Sequence, residues 1–453
     1  MDIVIVGDGK VGYTLTERLS REDHNITVID NHAHALNNTM NLQDVSCVEG
    51  NGVSHIVQTE AGVPKADLLI AATSADEINM LCCMVAKKLG AKHTIARVRN
   101  PEYQQQMFFL KDELGLSMAV NPEQAAASEI SRLLRFPSAI KVEPFAKGRI
   151  ELVEFKVREG SPLHGMKLAD FYGHFKLKVL VCAAAREDEV FIPKGNFVIQ
   201  TGDKLSILAT PADVSAFFKA AGTFQRRAKD VMIVGGGRIA YYLTRQLIET
   251  GIHVKIIEND EAHCERLCEL LPKAQILHGD GTDHELLHEE GLDNTDALVA
   301  LTGIDEENII LSMYANSRKV DKVITKVNNS RLAEMVSNVG VESLISPKDI
   351  AANRIISYVR AMTNATGSHV ETLHRIADDG AEALEFRVRE GSRCVGIPLK
   401  DLPIRDNVLI GAIIRGGSCI IPGGNDEIRV GDSVIVVTTI AGLEELNRIL
   451  KEA

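Results

Sequence analysis

The chain begins with a short apolar run at residues 3–6 and a glycine-rich stretch, followed by Val11, Leu15 and Leu19 at i, i+4 and i+8. An unbroken apolar run of this length reads as a strand buried on both faces, and the four-residue spacing lays one stripe along a helix. Further runs at 26–29, 45–48, 68–71, 94–98 and 117–120 alternate with helical patterns. Residues 1–136 are therefore expected to form a Rossmann-like domain, a six-stranded parallel sheet covered by helices. After the sixth run, Asn121 and Pro122 supply an N-cap and a first-turn proline. The helix they start carries Ala126, Ile130, Leu133 and Leu134 and should end at Phe136 and Pro137. Residues 140–222 change to strand-rich runs such as 152–157, 179–183 and 205–208, which reads as a small α+β domain.

The whole pattern is then written a second time. IVIVGDGKVGYTLTERL answers VMIVGGGRIAYYLTRQL, with Gly7 matching Gly235 at an offset of 228, and Gly52 matches Gly281 at an offset of 229. EFKVREGSPLHGMKLADF answers EFRVREGSRCVGIPLKDL, and IPKGNFVIQTGDKLSILAT answers IPGGNDEIRVGDSVIVVTT. A repeat of this length is a duplicated structural unit. It predicts a second Rossmann-like domain over 229–360 and a second small α+β domain over 371–453, joined to the first half by a polar connector at 222–230. Ile239, Leu243 and Leu247 repeat the first stripe, and Ser346 with Pro347 repeats the cap.

Gly7, Gly9 and Gly12 form a G-x-G-x-x-G directly after a strand and at the mouth of a helix. Glycine there lets the turn form and the backbone approach a pyrophosphate, while the helix end offers unpaired N–H groups. Gly235, Gly237 and Ala240 repeat the motif in its small-residue variant. Each second strand ends in an acid, Asp30 or Glu258, eighteen residues beyond the last motif position. A carboxylate there accepts ribose hydroxyls and repels a 2′-phosphate, favouring NAD+/NADH or ATP/ADP over NADP.

Other candidates cluster at the strand ends, where open α/β sheets bind ligands. They are Gly50, Asn51, Gly52, Thr73, Ser74 and Arg97, and in the second half Gly279, Asp280, Gly281, Thr302 and Lys326. Arg97 is placed to meet a phosphate. The plain alternative is a pair of empty Rossmann folds in which these residues only shape turns. Asp76, Glu77 and Asn79 recur as Asp305, Glu306, Glu307 and Asn308 where the helix after strand four begins. Capping of that helix is the favoured reading, with a cation site as the alternative.

Composition narrows the classes. No run approaches the roughly 18–20 apolar residues of a membrane-spanning helix, the mean hydropathy is +0.00, and the start lacks a secretory leader, so a cytoplasmic protein is expected. A net charge of −12 opposes nucleic-acid binding. Eight scattered cysteines in 453 residues fit buried, reduced thiols. His284 and His288, and His263 with Cys264 and Cys268, have chelating spacings. Nothing completes a four-ligand set, so solvated helix faces are expected rather than a metal.

With the doubled glycine motif, its two acids and the paired REG and GD segments, the chain resembles the TrkA family of Trk potassium-uptake systems along its whole length. That family joins two regulator-of-potassium-conductance (RCK) units in one polypeptide, each a nucleotide-binding domain followed by a small C-terminal domain. The resemblance implies a homo-oligomeric ring docked on an integral-membrane potassium-translocating subunit, peripheral to the inner face of the membrane. It implies that Gly7, Asp8, Gly9, Lys10, Val11, Asp30, Thr73, Ser74 and Arg97 contact nucleotide in the first half. In the second half it implies Gly235, Gly236, Gly237, Arg238, Ile239, Glu258, Gly279, Asp280, Thr302 and Lys326. The sequence departs from the standard motif at Ala240 and Glu258. Helices at 122–136 and 347–360 resemble the family's crossover helices, which pack on a neighbouring nucleotide-binding domain, and ligand would act by shifting the arrangement of the lobes.

Three rivals remain. A nucleotide-sensing regulator of another ion transporter, such as a potassium exporter, shares all these features. An NAD-dependent oxidoreductase needs a catalytic acid, and His164 of the first half is Val395 in the second. An NADH-sensing transcription factor needs a basic helix-turn-helix unit, which is not seen.

Overall fold

A computed structural model describes residues 1–453 apart from 23, 188, 223–227, 338–339, 364–369, 378–379, 441, 444 and 452–453. The polar connector expected at 222–230 therefore lies largely outside the described residues.

In the first sheet, β1 (Asp2–Val6), β2 (Asn25–Asp30), β3 (Ser46–Glu49), β4 (Leu68–Ala71), β5 (His93–Arg97) and β6 (Met118–Val120) run parallel in the order β3-β2-β1-β4-β5-β6. Each lies within one residue of the apolar run that predicts it. The order reverses between β1 and β4, so a crevice opens at their C-terminal ends. Helices α1 (Lys10–Ser20), α2 (Ala33–Leu42), α3 (His55–Glu60), α4 (Asp76–Leu89) and α5 (Pro101–Glu113) accompany the sheet, and α6 (Pro122–Arg135) follows its last strand. Val11, Leu15 and Leu19 are buried as their spacing requires.

A small antiparallel sheet follows, with β7 (Lys141–Phe145), β8 (Ile150–Lys156), β9 (Leu180–Arg186), β10 (Glu189–Phe191) and β11 (Lys204–Ala209) in the order β10-β9-β11-β8-β7. Helices α7 (Leu168–Phe175) and α8 (Pro211–Ala220) pack with it. Apolar patterning does not reveal β7, which is charged and holds Pro144; it forms the sheet edge, where a proline's missing N–H costs no ladder bond.

The second half rebuilds the first. Strands β12 (Asp230–Val234), β13 (His253–Glu258), β14 (Gln275–His278), β15 (Ala297–Ala300), β16 (Lys322–Lys326) and β17 (Ser343–Ile345) run parallel in the order β14-β13-β12-β15-β16-β17. Around them lie α9 (Arg238–Glu249), α10 (Glu261–Leu270), α11 (His284–Glu289), α12 (Asp305–Ser317) and α13 (Ser330–Ser337), and α14 (Pro347–Thr363) follows the last strand. The last antiparallel sheet holds β18 (Val370–Ile376), β19 (Ala381–Arg387), β20 (Val408–Arg415), β21 (Ser418–Ile420) and β22 (Ser433–Thr438). In this copy the counterpart of α7 shrinks to a single turn at Leu399–Asp401, because Pro398 and Pro403 bracket it.

The helix that closes each Rossmann unit packs on the other unit. Asn121 caps α6 by accepting from Gln124 N at 2.9 Å. Its Ala126, Ala127, Ile130, Leu133 and Leu134 join one core with Ile239, Leu243 and Leu247 of α9. Reciprocally, Ala351, Ala352, Ile355, Ile356 and Val359 of α14 share a core with Val11, Leu15 and Leu19 of α1. The neighbouring domain implied for the crossover helices is thus the other half of the same chain. Each fully buried aliphatic side chain there contributes roughly 1.5–3 kcal/mol, so the halves are not independent. Polar ties reinforce the seam: Asn121 donates to the Tyr242 hydroxyl at 2.9 Å, and Tyr242 donates to Arg99 O at 2.9 Å.

The two small sheets also meet face to face. Ile150, Leu152, Cys182 and Leu208 pack against Ala381, Ala383, Ala412, Ile435 and Val437. His374 of β18 pairs with Glu143 of β7 at 3.0 Å across this interface.

Candidate functional site

Strand β1 delivers the chain into Gly7, whose φ of +98° lies in the left-handed region and whose added Cβ would stand 2.9 Å from Thr73 N. A Cβ on Gly12 would stand 1.8 Å from Gly7 O, whereas one on Gly9 would meet nothing within 4 Å. The turn therefore requires the outer glycines for its own closure and leaves open space at the middle one.

Asp30, at the end of β2, secures the loop. Its Oδ2 accepts from Asp8 N at 2.7 Å and its Oδ1 from His32 N at 2.9 Å. Burial pushes the Asp30 carboxyl up, but these N–H donors and the His32 ring outweigh it and hold the group below its ordinary range. Asp8 behaves in the opposite sense. Burial and the nearby Asp30 charge outweigh the Thr39 hydroxyl at 2.6 Å and raise it, and Asp8 Oδ1 is buried without a hydrogen-bond partner.

In the second half Glu258 Oε2 accepts from Gly236 N at 2.7 Å, and Oε1 accepts from Asn259 N and Asp260 N at 2.9 and 3.0 Å. Gly236 stands where the first half has Asp8. A Cβ there would lie 2.6 Å from Leu267 and 3.0 Å from Glu258 Oε2. The longer acid and the missing side chain are one adjustment, and the acid-to-loop hydrogen bond survives it.

The ends of β4 and β5 are fastened by a residue absent from the sequence candidates for binding. Asn79, fully buried on α4, accepts from Thr73 N at 2.7 Å and donates to Arg97 O at 2.9 Å. Asn308 repeats this with Thr302 N at 2.8 Å and Lys326 O at 3.1 Å. Its signal was present in the recurring acid–asparagine motif that reads as a helix start. Arg97 donates to the Thr73 carbonyl and Lys326 to the Thr302 carbonyl. Burial and the neighbouring Arg99 push Arg97 down to about 10. Both cations thus brace the loop after the fourth strand. The Ser74 carbonyl accepts from Arg99.

One expectation needs correction. Asp76 and Asp305 do not cap their own helices, which lack a side-chain cap bond. Asp76 Oδ2 instead accepts from Arg99 N and Asn100 N at 2.7 Å each, and Asp305 Oδ2 from Asn328 N and Asn329 N at 2.8 and 2.9 Å. An acid in a first helical turn has the same sequence appearance whichever loop it holds.

The candidates after the third strands lie in tight turns. A Cβ on Gly50 would be 2.8 Å from Val57 and one on Gly279 2.4 Å from Leu286; Gly52 and Gly281 would meet Val6 and Val234 at 2.2 and 2.1 Å. Asn51 Oδ1 accepts from Val53 N at 3.0 Å and Asp280 Oδ1 from Thr282 N at 2.8 Å, the geometry of an Asx turn.

The first glycine loop opens on a cavity of about 780 Å³ built by both halves, a volume within the range of small-molecule sites. Asp8, Gly9, Lys10, Tyr13 and Thr39 line one side, and Asp305, Asn328, Asn329 and Lys348 the other. The second loop likewise faces the first half, since its Arg238 acts on Arg97, just as Lys10 of the first loop acts on Lys326 of the second half.

The TrkA-N domain matches residues 3–122 and 231–347, and the TrkA-C domain residues 152–222 and 383–451. The chain belongs to the TrkA family. It is 34% identical over 451 residues to a Trk system potassium uptake protein TrkA homolog of Archaeoglobus fulgidus, covering 100% of both chains. It is 34% identical over 439 residues to the Trk system potassium uptake protein TrkA of Halomonas elongata, covering 96% of this chain and 95% of that one. Among solved structures, the RCK domain of GsuK has a TM-score of 0.64 at 17% identity, covering 96% of this chain and 92% of its own. The GsuK channel bound to NAD gives the same score and identity over 96% of this chain and 76% of that one. The shared architecture is the tandem RCK layout of two Rossmann-like units, each with a small antiparallel domain.

Elsewhere in this TrkA-family chain, the suspected chelating residues have other contacts. His284 stacks on Tyr314 at 4.0 Å, His288 pairs with Asp293 at 2.8 Å, and His263 Nε2 lies 2.9 Å from Gly236 O. Cys82, Cys83, Cys182, Cys264 and Cys394 are buried thiols, but Cys268 is exposed, unlike the burial expected of it.

Proposed function

We propose that the chain is a nucleotide-binding regulatory subunit of a potassium-uptake system, peripheral on the inner face of the membrane and docked on an integral-membrane potassium-translocating subunit. The observation that carries this reading is the acid-secured glycine loop, built twice, with each Rossmann unit clamped by a helix from the other half. The ligand is NAD+/NADH or ATP/ADP. Gly7 through Gly12, Asp30, Thr73 and Ser74 would form the first site, braced by Arg97; Gly235 through Ile239, Glu258 and Thr302, braced by Lys326, would form the second. The open space beside Gly9 and the orphaned Asp8 Oδ1 suit a pyrophosphate and a hydroxyl donor respectively. The printed names of the relatives support the potassium role, and the NAD of the GsuK complex supports the ligand class. Among the described residues no helix is long and apolar enough to cross a membrane, so action on transport needs a membrane partner.

Self-association into a ring is part of the proposal. Phe108 and Phe109 on α5 are 99% and 77% exposed, and Ile78, Leu81 and Met84 on α4, the helix to which α5 is tied by the Tyr103–Glu77 hydrogen bond, are exposed as well. Ile310 and Met313 on α12 and Met335 on α13 repeat that apolar face in the second half. Two such faces on one chain let each copy join two neighbours.

A thermal-shift titration with NAD+, NADH, ATP and ADP tests the ligand class. A ligand at 100 times its Kd adds about 2.7 kcal/mol of stability. Failure of all four to raise the melting temperature would sink the nucleotide reading.

A further inference from the structure

Two lysines, one from each half, face the same cavity. Lys10 belongs to the first glycine loop, and Lys348 stands in the first turn of α14 where the crossover begins; both line the 780 Å³ space beside Asp8 and Gly9. Neither ammonium makes an ion pair or hydrogen bond among the described residues, and Lys348 is half-buried. The carboxylates on the same walls take hydrogen bonds from other residues of the lining. Asp8 accepts from Thr39, and Asp305 accepts from Asn328 N and Asn329 N. Burial raises the Asp8 carboxyl above its ordinary range, and two unpaired cations, one from each half, line the same cavity.

The repeat supplies an internal comparison. Asn121-Pro122-Glu123 answers Ser346-Pro347-Lys348, and Lys10 answers Arg238. The loop base keeps its sign while the crossover residue reverses it. Glu123 acts on Tyr242 of α9, on Lys326 and on Arg97, the residue that Arg238 of the second loop also acts on, which places it beside that loop, and its Oε2 is buried without a partner. A carboxylate there repels a phosphate that an ammonium in the first half would hold.

We propose that the first site selects nucleotides bearing a diphosphate or longer chain, with Lys348 of the second half holding the distal phosphate across the crossover. Glu123 disfavours that phosphate at the second site. The sites are therefore unequal, and ligand in the first one bridges the two halves. This rests on the nucleotide reading above.

The test is calorimetric titration of the full chain with AMP, ADP, ATP and NAD+, comparing wild type with Lys348→Glu, Lys348→Gln and Glu123→Lys. One charge-assisted contact corresponds to roughly a 10- to 100-fold change in affinity. Lys348→Gln is expected to weaken ADP, ATP and NAD+ by that factor at one site with AMP unchanged, and Lys348→Glu to weaken them further. Glu123→Lys is expected to tighten ADP and ATP at the other site. A loss that grows from ADP to ATP marks a terminal phosphate as the group held; an equal loss for ADP and NAD+ marks the second phosphate counted from adenosine, which both carry and AMP lacks. Equal binding of ADP by wild type and both Lys348 variants, with their ligand-free melting temperatures unchanged, would overturn the proposal while leaving the nucleotide reading intact. Failure of the wild type to bind any probe would instead refute the nucleotide reading, and this proposal with it.

Discussion

The two glycine loops achieve one geometry with different side chains. In the first, Asp30 reaches the N–H of Asp8; in the second, the longer Glu258 reaches the N–H of Gly236, where a Cβ would collide with Leu267. Duplication has preserved a hydrogen bond between strand end and loop rather than particular residues. The cost of the second solution is a bare loop position, and what it removes is the orphaned, desolvated carboxylate of Asp8. The halves are alike in fold and unlike in charge at the places a ligand would touch.

The largest effect should come from the crossover they share. Ile130→Ala and Ile355→Ala, each removing a buried side chain from a core that spans both halves, are expected to cost about 2–5 kcal/mol apiece in urea unfolding. A single cooperative transition should persist. Independent melting of one half in either variant would break the account of a shared core.

Next comes the loop itself. Gly236→Asp introduces a Cβ into contact with Leu267 and a charge beside Glu258, and should cost roughly 1–3 kcal/mol. Adding Glu258→Asp recreates the first loop and should recover most of that loss. No recovery in the double variant would show that the acid and the loop position are not coupled.

A third difference titrates. Lys322 of β16 is buried, donates to Ser343 Oγ at 2.7 Å and to Ala139 O, and is pushed by burial down to about 7; its counterpart His93 is only half-buried. Between about pH 7 and its ordinary value of 10.5 the unfolded chain binds more protons at Lys322 than the folded one. Stability from this group therefore rises with pH across that window, and below pH 7 the penalty for burying the charged form is present in full. Lys322→Met should flatten the rise in urea midpoint between pH 6.5 and 9. An unchanged slope would show that Lys322 is charged throughout.

The smallest effect is expected at the turns. Asn51→Ala and Asp280→Ala remove Asx bonds on exposed loops and should each cost about 0.5–1 kcal/mol. A larger change in nucleotide affinity than in stability would give these residues a direct part in binding.

Much of this architecture was legible because parallel strands buried on both faces leave continuous apolar runs, and because the repeat checks each one twice. β7 was hidden, since an edge strand tolerates Lys141, Glu143 and Pro144. The apolar stripe of α6 announces burial but not its partner, so only the folded chain shows that Ile130 shares a core with Leu243. The glycines and terminal acids of the site were readable from spacing alone. Asn79 and the true role of Asp76 were not, because both act on loops about twenty residues away in sequence. The composite cavity was equally invisible, since Lys10 and Lys348 meet only through the crossover.

The central claim is that one chain holds two nucleotide sites, each governed by the acid that ends its second strand. Its most direct test is calorimetric titration of wild type, Asp30→Ala and Glu258→Ala with NAD+ and ADP. Two sites per chain are predicted for the wild type, with Asp30→Ala losing the first and Glu258→Ala losing only the second. Binding left untouched by both substitutions would contradict it.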